Sequence, residues 1–117
     1  MKVDSCYEEG KLSLCFSGEL DHHAAKNAVR EIERAIDRHL PCACEIDLST
    51  LTFMDSSGIA VLLKTRRRMS EIGGTLLVLG VHGQPGKVFA AAGLERMIDL
   101  SSSVGQALPA ATLLRRD

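Results

Sequence analysis

The chain has 117 residues, 45% of them apolar and 25% charged, a globular balance expected to form one domain across 1–117 with a core needing no disulfide staples. A formal net charge of −1 and an aromatic content of 3% remove the electrostatic and stacking case for binding nucleic acid or an anionic membrane. Apolar runs such as Ile59 to Leu63 fall far short of a bilayer span and the opening MKVDSCYEEG lacks a signal-peptide core, so a cytoplasmic location is expected.

Lys2 to Tyr7 and Lys11 to Ser17 alternate with period two around Glu8-Glu9-Gly10, which predicts a β-hairpin. Leu12, Leu14 and Phe16 share its core face, and Ser13, Cys15 and Ser17 the other. Gly18-Glu19-Leu20 reads as leaving the sheet, with Asp21 capping the next helix. In that helix Ala25, Ala28, Val29, Ile32, Ala35, Ile36 and Leu40 recur at helical spacing until Pro41 stops it. Cys44 to Leu48 alternates again and predicts a third strand.

The stretch TFMDSSGIAVLL, residues 52 to 63, then breaks an apolar run with one acid and two hydroxyls. Beyond it Ile59, Leu62, Leu63, Met69 and Ile72 share an arc of a helix that Gly73-Gly74 ends. Arg66 falls inside that arc and is expected to snorkel or meet a partner. Thr75 to Leu79 is a continuous apolar run, as a parallel strand covered on both faces requires. Gln84-Pro85 opens a helix with Val88 to Ala92 as its body and Gly93 as its stop. Ile98 to Leu100 predicts a short edge strand. Ser101 to Ser103 cap a last helix through Val104, Ala107, Leu108 and Ala111, kinked or shortened at Pro109. The order β-β-α-β-α-β-α-β-α predicts an α/β sandwich. Its mixed sheet has four to five strands and about four flanking helices.

Cys42 and Cys44 form C-x-C, with Cys6 and Cys15 far away in sequence. Paired zinc spacings are absent, so four small, half-buried thiols in a reducing compartment are expected, with no metal and no other cofactor.

Asp55-Ser56-Ser57-Gly58 sits where a buried strand ends and a helix begins, the edge at which functional groups of α/β sheets gather. One polar residue suffices for a cap, and three are present. A serine nucleophile would need the elbow G-x-S-x-G, whose first glycine is missing, and a histidine such as His22 or His23 beside Ser56. A phosphate cradle would need glycine spacings that Gly80, Gly83 and Gly86 do not have. Modification by another enzyme fits better, because a hydroxyl on a first helical turn is reachable and the helix dipole tolerates a phosphate. Spacing alone leaves Ser56 and Ser57 equally open.

Three segments together, GELDHH (18 to 23), LTFMDSSGIAVLL (51 to 63) and IGGTLLVL (72 to 79), resemble the STAS domain of bacterial anti-sigma factor antagonists over nearly the whole chain. GELDHH favours the sporulation branch acting on sigma factor F. The resemblance implies a non-enzymatic switch without cofactors, a monomer that binds an anti-sigma factor and so frees the sigma factor. In that family the anti-sigma factor is also a serine kinase, and a metal-dependent serine phosphatase resets the switch. Carried over by position, the phosphorylated residue is Ser56. Asp55 precedes it, Ser57 and Gly58 shape the helix entry, and Glu19 and Asp21 line the adjacent loop that a partner touches. Ala60, where the family often has a second glycine, Arg66 and Pro109 depart from the pattern. Alternatives are an antagonist in a stress-type switch, a STAS sensor of a small molecule, and a hydrolase using Ser56.

Overall fold

In the computed structural model, residues 1–94 are described in full and 99–101 as backbone. The hairpin forms where the alternation places it. β1 (Lys2–Glu8) runs antiparallel to β2 (Lys11–Leu20), with Val3 opposite Phe16 and Tyr7 opposite Leu12. Glu9 and Gly10 close the turn at φ 49° and 84°, the paired positive values that a tight two-residue hairpin loop demands.

α1 (His22–His39) follows, its Ala25, Ala28, Ile32 and Ile36 buried, and Leu40 ends it in left-handed backbone just before Pro41. Then come β3 (Ala43–Met54), α2 (Ser56–Glu71), β4 (Thr75–Leu79), α3 (Gly83–Ala91) and β5 (Asp99–Ser101). The five strands lie in the order β1-β2-β3-β4-β5, every neighbouring pair parallel except β1 with β2. This is the expected mixed sheet, with three helices among the described residues. The edge strand falls at Asp99–Ser101 rather than Ile98 to Leu100. The predicted last helix, with Pro109, lies outside the described residues. Leu12, Leu14, Phe16, Ile46, Leu48 and Val78 form the sheet's part of the core, closed by Ile32 and Ile36 of α1 and by Val61, Leu62 and Met69 of α2.

Two strands are longer than the sequence pattern predicts. Gly18-Glu19-Leu20 does not leave the sheet: Glu19 pairs with Phe53 and Leu20 with Met54, across register shifts at Cys15/Ser17 and Gly18/Glu19. The shifts free backbone carbonyls, which threonines of β3 satisfy. Thr50 Oγ1 donates to Phe16 O at 2.9 Å and Thr52 Oγ1 to Gly18 O at 3.0 Å. Residues that look like loop chemistry in the sequence are thus the stitching of an irregular strand pair.

Arg66 is exposed, not within the buried arc. The buried stripe of α2 is Gly58, Val61, Leu62, Thr65 and Met69, whereas Ile59, Leu63 and Ile72 are only half-buried. At the helical advance of ~100° per residue, Arg66 stands about 80° round from Gly58. A helix that must seat Gly58 against the sheet therefore turns Arg66 outward. Thr65 takes the buried place because its hydroxyl donates to Val61 O at 2.8 Å within its own turn.

The thiols are less uniform than expected: Cys44 is buried and Cys15 half-buried, but Cys6 and Cys42 are exposed. Desolvation first, and then the adjoining Glu45 charge, pushes the Cys44 thiol up to about 12. That sulfur is inert at neutral pH. Glu45 itself is buried, its side chain 5% exposed, with Oε1 3.3 Å from Lys11 Nζ.

Candidate functional site

β2 and β3 end side by side, Leu20 opposite Met54, and each runs directly into a helix. The parallel register therefore sets the N-termini of α1 and α2 next to each other on one edge of the sheet. Asp21 and Asp55 are the respective N-caps. Asp21 Oδ1 accepts from Ala24 N at 2.9 Å, and Asp55 Oδ1 accepts from Ser57 N at 2.8 Å. The Ala24 N–H holds the Asp21 carboxyl below its ordinary range against a partial offset from desolvation, with smaller contributions from the His23 N–H and then its charge.

The two serines separate here. Ser56, the first residue of α2, is exposed. Ser57 is half-buried and its Oγ lies 3.3 Å from His22 Nδ1 on the neighbouring helix. The histidine that a hydrolase would need beside Ser56 thus stands beside Ser57. Gly58 is buried, and its absence of a side chain is a packing requirement. A Cβ there would collide with the Met54 side chain and come within 3.1 Å of Leu20 Cδ2. Glu19 is exposed but belongs to the end of β2, paired with Phe53, instead of lining a loop. The edge thus gathers Glu19, Asp21, Asp55, Ser56 and Ser57, with Gly58 beneath them.

One residue of this edge was missed in the sequence. The side-chain amide of Gln84, from the first turn of α3, brackets the backbone of Met54: Oε1 accepts from Met54 N at 2.8 Å and Nε2 donates to Met54 O at 2.9 Å. His82 Nε2, just ahead of it, donates to Ser49 O at 2.8 Å. Gln84-Pro85 reads in sequence only as a helix start. Nothing in that dipeptide points to a strand thirty residues earlier.

Below Ser57 an open groove of about 520 Å³ runs between α1 and α2, lined among others by His22, Lys26, Arg30, Ala60 and Lys64. Among the described residues no three His, Cys, Asp or Glu side chains are grouped to hold a metal ion. No helix among them is long and apolar enough to cross a membrane.

Residues 7–107 match the family model of the STAS domain. An anti-sigma F factor antagonist from Paenibacillus polymyxa is 28% identical over 108 residues, which span 92% of this chain and 92% of the relative. Among solved structures, an anti-sigma factor antagonist from Mycobacterium paratuberculosis superposes with a TM-score of 0.84 at 24% identity, covering 99% of this chain and 94% of its own. The Bacillus cell fate determinant SpoIIAA in its phosphorylated form superposes with a TM-score of 0.68 at 25% identity, over 87% of this chain and 93% of its own. With the family model matched over most of its length, the chain belongs to the STAS domain family.

Proposed function

We propose that this protein is an anti-sigma factor antagonist, a single-domain cytoplasmic interaction module with no catalytic role of its own. Its unphosphorylated form binds an anti-sigma factor that is also an ATP-dependent serine kinase, and so releases the sigma factor, sigma F in sporulation. Phosphorylation of Ser56 ends the interaction, and a metal-dependent serine phosphatase restores it. The observation that carries this reading is the exposed Ser56 hydroxyl on the first turn of α2, beside an Ser57 that is half-buried and engaged by His22.

The physics of the switch follows from that address. A phosphate adds about −1.5 to −2 charges at neutral pH. At the first turn of α2 it meets the positive end of the helix dipole, so the fold tolerates it. Glu19, Asp21 and Asp55 already stand on this edge, so a phosphate adds to like charge where the partner docks. A dianion carried into that interface without a partner of its own costs several kcal/mol. Each ~1.4 kcal/mol is tenfold in affinity, so one phosphate suffices to end binding.

Incubation with the cognate kinase and ATP, followed by phosphopeptide mapping, tests the reading. Label on Ser56 that is lost in Ser56→Ala and kept in Ser57→Ala supports it. An unchanged mass, or label that survives Ser56→Ala, overturns it.

A further inference from the structure

β3 outruns its neighbour on one side. β4 pairs with it only as far as Asp47, opposite Leu79, whereas β2 follows it to Met54. The overhang from Leu48 to Met54 thus has a β-partner on the β2 side alone, and Met54 is fully buried. Buried backbone groups need partners, and here the start of α3 supplies them in place of a strand. His82 takes the Ser49 carbonyl, and the Gln84 carboxamide offers Met54 one acceptor and one donor, as a neighbouring peptide group would. α3 is itself anchored, with Pro85 and Phe89 buried.

Met54 is two residues before Ser56. On its other side Met54 stands opposite Leu20 of β2, and Asp55 N reaches Leu20 O at 3.4 Å. Gln84 therefore holds, from the side that β4 leaves open, the strand end that β2 holds from the other and from which Asp55 and Ser56 project. We infer that Gln84 is a positioning residue for Ser56: its amide fixes the Met54 backbone and so sets where the serine hydroxyl is presented to the kinase. This rests on the phosphorylation proposed above. In that step Ser56 Oγ attacks the γ-phosphorus of ATP, the bond to ADP breaks, and the hydroxyl proton passes to a base on the kinase. Docking would also draw on Glu19 and Asp21, which β2 and α1 hold independently of Gln84, so loss of the clamp acts more on the reacting geometry than on encounter.

The test is Gln84→Met, which keeps side-chain length and removes both hydrogen bonds, with Gln84→Glu keeping only the acceptor for Met54 N–H. Steady-state phosphorylation by the kinase that labels the parent chain is measured for all three. Amide hydrogen exchange at Met54 is followed in parallel. The expected result is a kcat about tenfold lower for Gln84→Met with KM within about twofold, an intermediate kcat for Gln84→Glu, and faster Met54 exchange in both. Faster exchange with an unchanged kcat, or a change confined to KM, overturns the positioning role. If Gln84→Met does not fold, Gln84→Glu decides: parental kcat with faster exchange overturns the inference. A parent chain that takes no phosphate on Ser56 removes the functional proposal itself, a failure distinct from a labelled parent whose variants behave like it.

Discussion

α1 and α2 start behind an aspartate in the same extended backbone, Asp21 at φ −97°, ψ −176° and Asp55 at φ −117°, ψ −169°. Both caps face the same edge of the sheet, and both helices leave strands that end in register. The differences begin at the residues that follow. α1 opens His22-His23-Ala24 with Ala24 half-buried, whereas α2 opens Ser56-Ser57-Gly58 with Gly58 packed against Met54 and Leu20. A cap is thus shared equipment, needed wherever a helix leaves a strand. What distinguishes α2 is its depth at the third residue and the exposed hydroxyl at its first. The deep seat fixes the helix start in space, and the exposed serine stands on that fixed point.

The largest effect that tests this contrast is on binding. Ser56→Asp places a charge on the deeper helix start, and its affinity for the anti-sigma factor is expected to fall at least 100-fold, about 2.7 kcal/mol, by calorimetric titration. Because the charge sits at the favourable end of the helix, the melting temperature should stay within about 2 °C of the parent. A variant that melts far lower makes Ser56 a structural element of the helix entry, and the distinction between the two starts collapses.

Next in size is a reciprocal exchange at the third helical position. Gly58→Ala forces a Cβ into Met54, an overpacking expected to outweigh the gain in helix propensity and to leave a net loss of about 1–2 kcal/mol in urea denaturation. Ala24→Gly, at the matching place in α1, removes only propensity and a little burial, about 0.5–1 kcal/mol. Equal losses, or a neutral Gly58→Ala, would mean that Met54 repacks freely and that α2 is no more constrained than α1.

The same contrast explains what could be read in the sequence. α1 was legible but for its last apolar residue, because its periodicity, its aspartate cap and its proline stop are all local; Leu40 stands outside the helix as its exposed left-handed cap. The hairpin was legible for the same reason. The far halves of β2 and β3 were not, since Gly18, Thr50 and Thr52 carry turn and loop chemistry. Their place in the sheet depends on hydrogen bonds to a strand more than thirty residues away. In α2 the apolar residues alone gave the wrong phase, putting Arg66 inward and leaving Thr65 out, because the phase is set by the close approach of Gly58 to the sheet. The candidate site was legible in Asp55-Ser56-Ser57-Gly58 only as a polar junction between strand and helix, which the fold sets at the end of β3 and the start of α2. The preference for Ser56 came from the family resemblance, to which the fold adds a physical asymmetry in exposure and in the His22 contact. Gln84 had no local signal at all, since its role exists only once β3 is known to outrun β4.

The smallest predicted effect concerns the charge on the α1 cap. The Ala24 N–H, and to a lesser degree His23, hold the Asp21 carboxyl below its ordinary range in the folded chain. A carboxylate with a depressed folded pKa contributes stability that is fully present above its unfolded pKa, and that contribution is lost as pH falls through the folded value. Asn caps a helix as well as Asp but does not titrate. The stability gap between the parent and Asp21→Asn, followed by urea denaturation from pH 7 down to about 3, should therefore narrow as the pH falls through the carboxylate range. Other acidic groups titrate in both proteins and cancel in the difference. A gap that stays constant would mean that the Asp21 charge adds nothing to the hydrogen bond at Ala24. The acidity of this edge would then belong to partner recognition, with no share in holding α1 in place.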